Sequence, residues 1–126
     1  MKASRTLPEL SKTELDIMKI IWKGGRMSGR EVHDELNASY GWAYSTSKTI
    51  LDRMVVKRLL SKENFHGVFL YEPLISRPVG LAQLVRNFAD RVLEMDYGSV
   101  VSLFARSKML TPAEIEELSR LLEKRN

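Results

Sequence analysis

Ser45, Thr46, Lys48, Thr49 and Arg53 all fall within the stretch WAYSTSKTILDRMVVKRLL, Trp42–Leu60. Hydroxyls, an ammonium and a guanidinium at this spacing donate hydrogen bonds and neutralise anions; no general acid, base or activated nucleophile stands among them. With Tyr44 in the first turn of a helix, Ser47, Ile50, Leu51, Met54 and Val55 recur every three or four residues and form an apolar face. The five polar residues point away from it. Short hydroxyls near a helix start, with a guanidinium two turns on, suit the DNA major groove. There side chains reach base edges while Lys and Arg hold phosphates. A solvated surface helix has the same periodicity, so the flanking segments must decide.

Arg53 has the fork geometry to bind guanine O6 and N7 together, with a phosphate contact or an ion pair to Asp52 or Glu63 as its alternatives. Lys48, Lys57 and Lys62 are expected at phosphates, because an ammonium lacks that fork. His66 sits in the Phe65-His66-Gly67 turn, where a phosphate contact and plain solvation are equally open. Between Tyr44 and Lys62 there are five basic residues and one acid, Asp52. The formal charge of +4 divides as +3 over residues 1–75 and +1 over residues 76–126. This mild excess, concentrated around the helix in question, is compatible with an anionic partner.

Other chemistries are poorly supplied. The chain has no cysteine, so disulfides, thiolate metal sites and cysteine nucleophiles are excluded. It has two histidines and no Gly-rich phosphate loop. His33 has no partner at metal-ligand spacing and is expected on the surface; Trp22, Trp42, Tyr71 and the methionines are expected in the core. No catalytic role, metal or cofactor is expected. The N-terminal MKASRTLPEL lacks the apolar core of a signal peptide, and the apolar run Val100–Ala105 is too short for a bilayer. A cytoplasmic protein without membrane insertion is the expectation.

The elements that would position this face can be read on either side of it. Ser11-Lys-Thr-Glu14 has the form of a capping box, and the helix behind it carries Leu15, Met18, Ile21 and Trp22 before Gly24-Gly25 stops it. Ser28-Gly-Arg-Glu31 opens a second helix through about Asn37, with Val32 and Leu36 inward. A loop, Ala38–Gly41, leads to Trp42, which packs the start of the third helix. This spacing predicts a helix-turn-helix. Strands over Leu59–Asn64 and Val68–Glu72, joined where Gly67 supplies a positive φ, then predict a hairpin, the wing of a winged helix.

From Ser76 onward the period is helical again. Leu81, Leu84, Val85, Phe88 and Val92 form one stripe, a short helix spans roughly Ser99–Arg106, and Thr111-Pro-Ala-Glu114 caps a last helix bearing Ile115, Leu118, Leu121 and Leu122. About fifty residues in three helices bury little on their own. Pairing with a second copy, which would also use Phe104, is therefore the expectation; docking onto the first domain is the alternative. The fold class is mainly α with a small β-hairpin: a winged helix-turn-helix domain at 1–75 and a helical dimerisation domain at 76–126.

Four segments in this order, LSKTELDIMKIIW, SGREVHDEL, WAYSTSKTILDRM and LLSKENFHGVFLYEPLISR, resemble the penicillinase repressor family. The likeness runs from about Leu10 to Leu122. It implies a winged helix with a helical dimerisation domain, and a homodimer that represses transcription by occupying a palindromic operator in double-stranded DNA. The family's DNA-contacting hydroxyls and later arginine fall on Ser45, Thr46, Thr49 and Arg53. Three departures stand out. Arg58 replaces the glycine that commonly ends the family's third helix, and the paired Cys-x-Cys motifs of its copper-responsive members are absent. Leu103-Phe104 stands where antibiotic-responsive members have an Asn-Phe bond cut on induction, so the role of a regulatory membrane protease is open. The reading from another class is a winged helix used as a protein-interaction module; its third helix would be apolar or acidic.

Overall fold

A computed structural model of the chain describes residues 8–93 and 96–123, and of residues 91–93 the backbone alone. The element order is α1 (Lys12–Gly24), β1 (Met27–Ser28), α2 (Gly29–Tyr40), α3 (Tyr44–Val56), β2 (Leu60–Phe65), β3 (Val68–Pro73), α4 (Arg77–Asn87), a π-helical stretch (Phe88–Leu93), α5 (Tyr97–Ser107) and α6 (Pro112–Glu123). The protein is mainly α with one small antiparallel sheet, ordered β1-β3-β2. It divides into two compact units, one of Leu10–Ser76 and one that holds Arg77 onward.

In the first unit, two reciprocal caps start α1 and α2. Ser11 Oγ accepts from Glu14 N at 3.1 Å while Ser11 N donates to Glu14 Oε1 at 2.9 Å; Ser28 and Glu31 repeat both bonds. α1 ends at Gly25, where φ is 77°. α2 runs three residues beyond the expected stop at Asn37. The first position able to turn the chain is Gly41, with φ 65°. The last turn is held from outside: Tyr40 stacks on Trp42 at 4.3 Å, and its hydroxyl donates to Asp16 at 2.6 Å. Three residues, Gly41 to Ala43, then separate α2 from α3.

α3 leaves through a Schellman motif: Leu59 N reaches Met54 O and Arg58 N reaches Val55 O. Arg58 takes φ 64°, the left-handed position that favours glycine. β2 and β3 pair from Leu60↔Pro73 to Phe65↔Val68, around a tip at which both His66 (φ 54°) and Gly67 (φ 87°) are left-handed. The third strand was not expected: Met27 and Ser28 pair with Tyr71 and Leu70 and tie the start of α2 to the wing. The core beneath gathers Ile17, Met18 and Ile21 from α1, Val32 and Leu36 from α2, Leu51 and Met54 from α3, and Leu59, Leu60 and Tyr71. Each such side chain contributes about 1.5–3 kcal/mol when fully buried.

The second unit packs α4, α5 and α6 around Ala82, Val85, Ala89, Val100, Val101, Leu110, Leu118 and Leu122. Thr111 and Glu114 form a third reciprocal cap. Asp96 caps α5, which starts at Tyr97 rather than Ser99 because Ser99 N donates to the Asp96 carboxylate at 2.7 Å. The long stripe expected after Ser76 is broken, since the helix widens to π geometry from Phe88. Of the residues expected at a dimer surface, Val85, Leu118 and Leu122 instead lie in this unit's own core, so three helices do enclose a core. Leu81, Phe104 and Ile115 are half-buried, whereas Leu84 and Phe88 are exposed. The Val92 side chain falls outside the described residues. Met109, expected inside, is 66% exposed.

Candidate nucleic-acid interface

α3 buries Ser47, Leu51 and Met54 and turns Ser45, Thr46, Thr49 and Arg53 outward. The four exposed residues lie over successive turns on one side of the helix. The Thr49 hydroxyl donates to Ser45 O at 3.0 Å, which leaves its lone pairs outward as acceptors. Arg53 lines a shallow hollow with Thr49, Asp52, Val56 and Lys57. It has no carboxylate within ion-pair distance among the described residues. The acids expected as its partners are engaged elsewhere: Asp52 by two lysines and Glu63 by Arg26.

The three lysines assigned to phosphates are all paired. Lys48 and Lys62 each reach Asp52 at 3.2 Å, one from α3 itself and one from β2, and Lys62 also lies 4.6 Å over the Phe69 ring. Burial alone would raise the Asp52 carboxyl, but the hydrogen bonds from Lys48 and Lys62 outweigh it and hold the carboxyl below its usual range. Tyr71 adds its hydroxyl to the same carboxylate at 3.4 Å; burial first, then the Asp52 charge, pushes the phenol up to about 12. Lys57 reaches across to Glu14 at 2.6 Å and ties the end of α3 to the first turn of α1. Glu14 is only 9% exposed. Burial raises its carboxyl, whereas the Lys57 ammonium and the Ser11 amide lower it further, and the net shift is downward. Lys57 thus acts as a structural brace in the unbound protein.

The wing projects His66 from its tip, edge-on to Phe65 at 4.3 Å. Arg26, just after α1, lies against the wing's other face, with its guanidinium 3.4 Å from Glu63 and 3.8 Å from Glu72. Phe65 and Val68, the last pair of the ladder, are half exposed.

Several residues in this region escaped sequence reasoning. His33 is 8% exposed rather than on the surface. Its Nδ1 lies 2.8 Å from Ser47 Oγ, which also accepts from Trp42 Nε1 at 2.8 Å, so α2, the turn and α3 meet in one polar node. The spacing of Gly29, Val32, His33 and Leu36 does place His33 on the inward face of α2, whereas its partner Ser47 comes from another helix and had no local signal. The Arg30 guanidinium lies over the Tyr44 ring, 4.1 Å from its centroid. A signal for Arg30 did exist: a cation in the first turn of a helix opposes the macrodipole and stabilises nothing locally. Among the described residues no group of His, Cys, Asp and Glu could hold a metal, and no helix is long and apolar enough to cross a membrane.

The penicillinase repressor family model matches residues 10–124. The penicillinase repressor of Bacillus licheniformis is 31% identical over 119 residues, spanning 94% of this chain and 93% of that protein. The methicillin resistance regulatory protein MecI of Mammaliicoccus sciuri is 26% identical over 117 residues, with 93% and 95% spanned. Among solved structures, the DNA binding domain of the repressor BlaI superposes with a TM-score of 0.51 at 34% identity, covering 59% of this chain and 90% of that one. The monomeric form of Bacillus licheniformis BlaI in complex with the blaP half-operator does so with a TM-score of 0.52 at 33% identity, covering 60% and 93%.

Proposed function

Since the chain belongs to the penicillinase repressor family, we propose that it is a DNA-binding transcriptional repressor that occupies a palindromic operator as a homodimer. In this reading residues 1–75 bind DNA and residues 76–126 dimerise. α3 enters the major groove with Ser45, Thr46, Thr49 and Arg53 toward base edges, and the wing brings Lys62 and His66 to the adjacent backbone. The observation that carries the reading is Arg53: an exposed guanidinium without a carboxylate partner among the described residues, aligned with three exposed hydroxyls. The similarity to BlaI in complex with a half-operator supports DNA as the partner. Lys48 and Lys62 exchange Asp52 for phosphates on binding, whereas Lys57 stays with Glu14.

For the dimer, the support is an apolar groove of about 280 Å³ lined by Leu81, Leu84, Val85, Phe88, Val100 and Phe104, which a second copy would cover. The protein acts by binding and not by catalysis, needs no cofactor, and works in the cytoplasm, where the operator is. A regulatory membrane protease acting at Leu103-Phe104 would require α5 to open locally, because the bond lies inside that helix and Phe104 is packed against the core.

A gel shift tests the central claim. Binding to the DNA upstream of the protein's own gene should exceed binding to a mixed-sequence duplex at matched salt; equal affinities overturn sequence-specific repression. Val56, 81% exposed at the end of α3, with Phe65 and Val68 on the wing, favours the second reading, an apolar docking face for another protein. Retention on duplex DNA or heparin at low salt separates the two, since a pure interaction module flows through.

A further inference from the structure

The lysines near α3 are compensated by Asp52 and Glu14. Arg30 is not. It is exposed in the first turn of α2, its guanidinium lies 4.1 Å from the Tyr44 ring centroid, and among the described residues no carboxylate is within ion-pair distance of it. Tyr44 is itself firmly placed: its hydroxyl sits over Gly29, where an added Cβ would come within 3.0 Å of it. The guanidinium therefore lies over the ring of a tyrosine whose hydroxyl is itself packed against Gly29.

Beside Arg30 opens a cleft of about 260 Å³ between the start of α2, the first turns of α3, and the β3 end of the wing. Its walls include Arg30, Tyr44, Lys48, Phe69 and Tyr71, and no acidic residue lines it. With Lys48 paired to Asp52, Arg30 is the uncompensated cation in the lining of this cleft, and a concave surface with such a cation and no carboxylate in its walls attracts anions. A planar guanidinium with its donors free matches the two unesterified oxygens of a phosphodiester. The cleft also borders the helix face that carries Ser45 and Thr49, so a duplex engaged by that face runs its backbone past it.

We infer that this cleft seats a backbone phosphate of the bound duplex and that Arg30 holds it, with Tyr44 as the positioning residue. The inference rests on the DNA-binding function proposed above. Because a phosphate carries no sequence, Arg30 adds affinity and register but no base preference.

The test is a salt titration of the full chain on two duplexes, its own upstream DNA and a mixed sequence. Arg30→Gln should weaken both by the same factor and reduce the magnitude of the log–log salt slope by about 0.9 per protomer. Arg30→Lys should keep the slope. Tyr44→Leu should weaken binding with the slope kept, and Arg30→Gln added to it should cost less than in the parent; a purely structural Tyr44 gives additive losses. Unfolding midpoints of each variant confirm that the fold is intact. A parental slope for Arg30→Gln, or a loss confined to the upstream duplex, overturns the inference while leaving the repressor reading standing. Failure of the parent to bind either duplex removes both.

Discussion

Arg53 and Lys62 carry the same charge, yet their surroundings assign them different work. Arg53 projects from α3 with no carboxylate partner among the described residues, whereas Lys62 lies between the Asp52 carboxylate and the Phe69 ring. A fork that meets guanine bidentately discriminates bases by about 1–3 kcal/mol. An ammonium that leaves one carboxylate for a phosphate contributes affinity through counterion release but reads no sequence. Arg53→Ala should thus lose most of the preference for operator over mixed duplex with a smaller loss on the latter. Lys62→Ala should weaken both about equally. Fluorescence anisotropy on the two duplexes measures this, and identical profiles for the two variants would refute the division. Sequence periodicity located Arg53, Ser45, Thr46 and Thr49, since a helix face follows from spacing alone. The pair of Lys48 with Asp52 is equally local, four residues apart on one helix, but the partner of Lys57 was not legible, because Glu14 lies 43 positions away.

At the scale of elements, α3 is fixed at both ends by contacts whose contribution can be measured. Its exit passes through Arg58 at φ 64°. A non-glycine residue in this conformation costs about 1–2 kcal/mol, partly offset by the greater unfolded-state entropy of glycine. Arg58→Gly should raise stability by about 0.5–1 kcal/mol in urea unfolding; a loss of stability would show that the Arg58 side chain contributes more than its backbone costs. The Schellman bonds persist with arginine in the left-handed position, so the turn forms without glycine. The brace from Lys57 to Glu14 is pH-dependent. Burial raises the Glu14 carboxyl, but the Lys57 ammonium and the capping amide bring its folded value below the unfolded one. Its contribution is complete above the unfolded pKa of about 4.3 and is lost as pH falls through the folded value. Glu14→Gln keeps the capping geometry and removes the charge. It should cost about 1–2 kcal/mol near neutrality, allowing for the half-exposed lysine, and nearly nothing once the parent carboxyl is protonated. Urea midpoints across that range check it; a constant difference at every pH would assign the effect to packing.

For the whole molecule, the proposed assembly turns on Leu84 and Phe88. Phe88 is 47% exposed at the groove between α4 and α5, outside the core that this unit builds from Val85, Leu118 and Leu122. Phe88→Glu should yield a folded monomer in sedimentation and a steep loss of affinity for a two-half-site operator, with a single half-site bound nearly as before. A parental sedimentation profile would exclude this groove as the interface. Capping boxes at Ser11, Ser28 and Thr111, the Gly24-Gly25 stop and the Gly67 turn made most of the architecture legible, because each acts within four residues. What escaped was set by distant partners: the two-residue strand Met27–Ser28 exists only through Tyr71 and Leu70, and residues 38–40 stay helical because Trp42 and Asp16 hold Tyr40. The node of His33, Ser47 and Trp42 belongs to the same class. Burial of apolar surface is non-directional, whereas hydrogen bonds weaken steeply when misaligned and so add to the constraint that packing imposes. α3 therefore has little slack in its azimuth, and if it is the element that meets the duplex, the orientational entropy of aiming it is spent during folding, not at the encounter.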